Sequence, residues 1–301
     1  MSVPLAYLTV VLIWSTTPLA LSWSGQDLGV LFGANARMAI GLLVCVIALL
    51  LWRHPLRWDK QSVKAYMSIA LGILFAMLSV YIGSQFIASG MIAVIFGLTP
   101  IFTGLFAVRI IPGHRILPFQ VFAMLLGLFG LIIIFHDQIR VDDLYGLLGV
   151  SCVLFATMLH GLSTVLSKKY ASNMSALTGT TGGLILAVPV YMAVWLALGD
   201  SFSVEKLGYK TGLSILYLGI FGSAVGFMAY FYALRRVDAM KMALIPLITP
   251  VFALMIGYSF NNELPSSSML MGAGLILGGL LVFQWGNRLP RFVTQKIRNI
   301  S

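Results

Sequence analysis

Long apolar runs alternate with short polar gaps along nearly the whole chain. Ten runs emerge, at about 4–22, 29–52, 65–87, 91–111, 118–136, 144–166, 174–198, 211–234, 241–261 and 268–286. Each is close to the roughly 20 residues that an α-helix needs to cross the hydrocarbon core of a bilayer. Membrane β-strands would instead show segments of about 10 residues alternating apolar and polar, and these runs are continuous. The third and fourth are separated only by Ala88, Ser89 and Gly90, which predicts a tight helical hairpin. The first, Pro4 to Ser22, has no basic region before it and is followed by another long run, so it reads as a retained span and not as a cleaved signal.

Composition removes the soluble alternative. Of 301 residues, 59% are apolar and 9% charged, against roughly a quarter charged in a soluble domain. Ten crossings leave about 100 residues for nine loops and two tails, too few for a separate soluble domain. Cys45 and Cys152 both lie in apolar runs and read as packing residues, not as a disulfide or a metal framework. No cofactor or metal is expected. The net charge of +10 raises the question of nucleic acid, and its distribution answers it. With the N-terminus inside, fifteen of the nineteen Lys and Arg residues fall on the inner side, whereas only Arg140, Lys206 and Lys210 fall outside. Seven of the nine acids lie outside, and Asp59 and Asp238 inside. This is a topology signal: both termini are expected to be cytoplasmic. The expected partners are a bilayer and a small-molecule substrate, with a homodimer left open and nucleic acid excluded.

A shift of 150 residues lays Ala93, Ile95, Leu98, Thr99, Pro100 and Phe102 over Ala243, Ile245, Ile248, Thr249, Pro250 and Phe252. The same shift puts Gly72 on Gly222 and Tyr81 on Phe231, so one register spans two consecutive helices without a gap. Residues 1–140 and 141–287 then form two five-helix repeats, followed by a basic tail at 288–301. Five is odd, so the second repeat enters the membrane from the opposite side. Inverted repeats of this kind enclose a central site in secondary transporters. The expected fold is therefore an all-α integral membrane protein of ten helices in two inverted repeats.

The segment Tyr230 to Val237, followed by Ala243 to Phe252 and ending at Glu263-Leu264, resembles the second repeat of the EamA branch of the drug/metabolite transporter superfamily. Trp14-Ser15 in the first helix and Arg37 in the second sit where that family often has Trp-Gly and Arg. The resemblance covers essentially the whole chain. It implies helices 1, 3, 4, 6, 8 and 9 around a central cavity in a bacterial inner membrane, and a substrate that is typically an amino acid or other small metabolite, usually exported. Two positions depart from the pattern: Asn262 stands for the usual Gly, and Leu159-His160 for the Trp expected in the sixth helix.

Candidate site residues follow from polar positions inside the runs. Thr99-Pro100 and Thr249-Pro250 fall mid-helix, where proline removes a backbone bond and frees a carbonyl; the two readings are a gating bend that lines a cavity and a plain packing kink. Met77, Tyr81, Ser84 and Gln85 share one helix face, and Ser223, Phe227 and Tyr230 another. Such faces line a cavity or hydrogen-bond between helices. Arg37 lies about 12 Å inside the outer end of its helix, placed to snorkel outward or to pair with a substrate carboxylate or an inner-cavity carbonyl. His160 is the only histidine well inside a span, and it reads as a proton carrier or as a satisfied hydrogen-bonding residue. The cavity expected from sequence comprises Trp14, Tyr81, Gln85, Thr99, His160, Ser223, Tyr230 and Thr249, with Pro100 and Pro250 at its bends.

No Asp or Glu sits deep in any run. A cationic drug carrier generally needs one, so metabolite export ranks above multidrug efflux. No HExxH, GxSxG or paired deep carboxylates supply enzyme chemistry. A non-transporting scaffold or receptor remains the alternative from another class. The topology is testable directly. With Cys45 and Cys152 replaced, a cysteine at position 140 should react with an impermeant thiol reagent from outside and one at position 58 should not; the reverse pattern would invert the orientation.

Overall fold

The computed structural model describes residues 2–138, 144–198, 207–261 and 266–285. Arg140, Glu263 and the tail at 288–301 lie outside them. In chain order the helices are α1 (Val3–Ser24), α2 (Val30–Leu51), α3 (Lys60–Gly83), α4 (Ser89–Ile110), α5 (Pro118–Gln138), α6 (Leu144–Tyr170), α7 (Ala176–Leu198), α8 (Tyr209–Leu234), α9 (Ala239–Met242 continuing as Ile245–Asn261) and α10 (Ser267–Trp285). No strand occurs among the described residues. Seven of the helices are long and apolar enough to cross a membrane: α1 to α4 and α6 to α8. Within α5 and α10, the apolar helical stretches are Pro118–Gly130 and Leu270–Phe283. Leu8, Leu12, Leu43, Phe122, Phe129, Phe155 and Leu281 are among the large apolar side chains left exposed. They suit contact with lipid, since the bundle offers them no core.

The ends of α3 show why it begins and stops where it does. Asp59 caps its N-terminus, accepting from the Ser62 hydroxyl at 2.7 Å and from the Ser62 and Gln61 amides at 3.1 Å. These bonds, the Ser62 hydroxyl foremost, hold the Asp59 carboxyl below the usual carboxylate range. The expected hairpin forms, with α3 ending at Gly83 and α4 starting at Ser89. Gly83 lies against Gly149 of α6; a Cβ on either would come within 3.1 Å of the other's carbonyl oxygen. Small residues let the two backbones approach this closely.

Two stretches among the described residues form π-helical turns, Leu71–Ala76 in α3 and Leu218–Val225 in α8. The wider turn leaves carbonyls around it outside the regular ladder, and neighbouring helices supply donors. Ser163 of α6 donates to Ser68 O at 2.7 Å, and the Tyr191 hydroxyl of α7 donates to Ile73 O at 2.8 Å and Leu74 O at 3.1 Å.

Tyr191 is fully buried at this junction. Tyr191→Phe keeps the ring and removes the donor, so it should cost about 1 kcal/mol, read as a lower unfolding midpoint of the purified protein. Tyr258→Phe, on an exposed face, should leave the midpoint unchanged; equal effects would show that the hydroxyl of Tyr191 is not holding the turn.

Candidate functional site: a central cavity

A cavity lies between α1, α2, α3, α4, α6, α8 and α9. It begins with the shape of α1. Pro18 lies inside that helix, so the Trp14 carbonyl loses its usual donor. Trp14, Thr17, Pro18 and Leu21 then face the cavity together. The π turn of α3 brings Gly72 and Ile73 to the opposite wall, beside Ile69, Met77 and Val80.

At its centre is an aromatic cluster. Trp14 stacks on Tyr230, with ring centroids 5.0 Å apart and planes 23° apart. His160 meets Trp14 edge-on at 5.4 Å and lies 5.6 Å from Tyr230 and 6.0 Å from Phe96. Tyr230 is fixed by a 2.6 Å hydrogen bond between its hydroxyl and that of Thr164, one turn along α6 from His160. The Nε2 atom of His160 is buried without a partner. No Asp or Glu lines the cavity among the described residues, and Arg37 is the single Lys or Arg that does.

Of the eight cavity residues expected from sequence, Trp14, His160, Tyr230 and Thr249 line it. The other four stand elsewhere. Tyr81 is fully buried outside the lining, and its hydroxyl has no partner. Gln85 is exposed in the turn that follows α3, because the helix ends at Gly83 and turns its last polar residue outward. Ser223 is buried behind Arg37, accepting from its Nε at 2.9 Å.

Thr99 is also buried outside the lining. Proline at position 100 deprives the Phe96 carbonyl of its donor, and the Thr99 hydroxyl supplies one at 2.5 Å. In α9 the same exchange occurs: Pro250 frees the Pro246 carbonyl, which accepts from the Thr249 hydroxyl at 3.3 Å. The paired Thr-Pro steps therefore close their own gaps and present no free carbonyl there. Pro100 does not bend a continuous helix either. It sits in the first turn of Thr99–Ile110, after a break at Gly97–Leu98, where a missing amide costs little. There it borders a smaller cavity against α5 and α10. Pro250 lies within the continuous segment Ile245–Asn261, and the break in α9 falls earlier, at Ala243–Leu244.

Arg37 is 2% exposed, so snorkelling to the headgroups is excluded. Sequence reasoning missed Phe96, Ser163, Pro18 and both π turns; Pro18 and the Gly72/Gly222 pair were the available signals.

The sequence model of the EamA-like transporter family matches residues 1–136 and 147–285. An uncharacterized transporter of Bacillus subtilis, YoaV, is 26% identical over 282 residues, covering 93% of this chain and 96% of its own. An uncharacterized transporter of Archaeoglobus fulgidus is 25% identical over 90% of this chain and 95% of its own. Protein PagO of Salmonella typhimurium is 23% identical over 100% of this chain and 98% of its own. A solved crystal structure with a TM-score of 0.75 and 20% identity covers 96% of this chain and 98% of that one, which establishes the shared fold.

The geometry separates two substitutions that sequence alone treats alike. Trp14→Ala removes one wall of the aromatic cluster and should reduce solute flux in reconstituted vesicles by about tenfold. Gln85→Ala should leave flux near wild type. Equal losses would show that this cavity is not the route.

Proposed function

The chain belongs to the EamA-like transporter family, and from that premise we propose that it moves a small amphipathic metabolite, an amino acid or a close relative, outward across the bacterial inner membrane. In this reading ten helices form two inverted five-helix repeats, residues 1–140 and 141–287, with both termini cytoplasmic and access alternating between the two faces. That it is an integral membrane transporter and not an enzyme follows from the family; substrate, direction and mechanism are the proposal.

One observation carries the repeat reading beyond sequence. Gly41 of α2 packs on Gly219 and Ser223 in the π turn of α8, and Gly183 of α7 packs on Ile69 and Ile73 at the π turn of α3. Positions 69 and 73 are 150 residues before 219 and 223, the register found in the sequence. In each half a glycine thus packs at or beside the distorted turn of the other half, which supports the repeat reading.

The inner closure has an identifiable latch. Lys168 Nζ of α6 donates to three carbonyls at the end of α8: Leu234 at 2.8 Å, Arg235 at 3.2 Å and Val237 at 2.7 Å. Arg235 Nε returns a bond to Ser172 O at 2.9 Å. Beneath the central cavity, a small pocket shares Ile69 and Phe231 with it, and shares Met174 and Ser175 with a polar vestibule lined by His54, Arg57, Asp59 and Asn173. Inward opening in this reading breaks the Lys168 latch and joins the three spaces.

The cavity's character supports the substrate class. Its wall is mostly aromatic and aliphatic without a carboxylate, which suits an amphipathic metabolite and gives a cationic drug no counter-charge. His160 has no acidic partner in that wall, so we take transport to be uncoupled from protons. Purified protein in liposomes should move labelled amino acids down their own gradient, and an imposed pH gradient should not drive accumulation. Proton-driven accumulation that is lost in His160→Gln would overturn the uncoupled reading, and a chain that moves no solute would be a scaffold or receptor.

A further inference from the structure

Among the described residues, the guanidinium of Arg37, buried in the cavity wall, has one hydrogen bond and no anion beside it. Its Nε donates to Ser223 Oγ at 2.9 Å, and its Nη1 has no partner. No acidic residue stands among the cavity's described lining. Buried charges are ordinarily paired, because an uncompensated one is costly in a low-dielectric interior.

The fold does not require this charge. Gly41 and Gly183 occupy matching places against the two π turns, so the position one helical turn earlier is Arg37 in α2 and Gly179 in α7. The second half packs the same junction with no side chain there. A charged side chain thus stands at one of the two junctions and none at the other.

Its surroundings indicate what it would hold. With Nε taken by Ser223, the Nη1 and Nη2 edge is the one left for a planar two-oxygen acceptor. Nη2 stands beside Gly222, 3.1 Å from where a Cβ would be, and Trp14 Nε1 stands beside Gly226, 3.6 Å from the corresponding point. Those glycines are one turn apart on α8, about 6 Å along its axis. An anionic head at Arg37 would thus lie about one turn from the aromatic cluster. A single cation suits a monoanion; a phosphate ester would call for several.

We propose that Arg37 anchors a carboxylate of the transported solute, so that the substrates are small carboxylic acids whose apolar or aromatic body lies against Trp14 and Tyr230. This names the chemistry of the site proposed above and rests on that transport reading.

The test is a matched pair of probes. The purified full chain is titrated with 3-phenylpropionate and L-phenylalanine, and with the primary amide of each, and binding is followed by calorimetry. Wild type should bind each acid at least about tenfold more tightly than its amide. Arg37→Lys should keep part of that preference, and Arg37→Gln should bring the ratio to about one. Equal binding of acid and amide by wild type, no binding of either acid, or an unchanged ratio in Arg37→Gln would each overturn the proposal. Should Arg37→Gln fail to fold, the wild-type ratio and Arg37→Lys decide. Acid-selective binding without flux of any acid in liposomes would sink the transport reading and leave the anion site standing. Flux that is blind to the carboxylate would do the reverse.

Discussion

Every backbone carbonyl that leaves the helical ladder in this protein must find a donor inside the bundle, because hydrocarbon supplies none. The chain leaves the ladder repeatedly: at Pro18, at the two π turns, at Pro100 and at Pro250. Threonine hydroxyls answer the Thr-Pro steps from within the same helix. Ser163 and Tyr191 answer the π turn of α3 from neighbouring helices. Lys168 answers the end of α8. These bonds fix which helices can sit beside which distortions, and the cavity is the space those choices leave between α1, α3, α6 and α8.

The division of labour has a consequence for motion. A Thr-Pro step that bonds its own carbonyl is self-contained and travels with its helix. The Lys168 contact is different, since it joins α6 to the end of α8 through an ammonium and three carbonyls. Strong but few, such bonds can be exchanged for water when the inner side opens, at modest net cost. On the transport reading, Ile69 and Phe231, which line both the central cavity and the small pocket, have no such exchange and would act as the plug.

Much of this was legible in the residues. Continuous apolar runs gave helical spans to within a few residues, the hairpin between α3 and α4 among them, because twenty apolar positions in a row admit few alternatives. Trp14, His160, Tyr230 and Thr249 were recognised because a polar or aromatic group on an apolar face has to go somewhere. Periodicity failed where the helix ended, and where a side chain on the right face packed against protein instead of the cavity. The face drawn through Met77, Tyr81 and Gln85 lies wholly after the π turn of α3 and still divides: Met77 lines the cavity, Tyr81 is packed away, and Gln85, beyond the helix end at Gly83, is exposed. The Thr-Pro pairs were found for a sound reason and assigned an extra one, since sequence cannot tell whether a hydroxyl turns to its own carbonyl or to a ligand.

Arg37 is where the governing constraint is met least. Ser223 satisfies one of its donors, while the carbonyls displaced at the Thr-Pro steps and around the π turn of α3 have partners. On the carboxylate proposal the bound solute completes the guanidinium's hydrogen bonding, so the protein with an empty, closed cavity is the costly state. The same attraction would hold the solute indefinitely if it were never offset. Release then depends on water reaching the guanidinium, which replaces the anion's hydrogen bonds and weakens the Coulomb term by raising the local dielectric. Opening the cavity to either side does both at once. One unpaired charge in an aromatic, otherwise uncharged wall is thus enough to favour binding when the site is closed and release when it is wet, without a protein carboxylate or a coupled proton in the cycle.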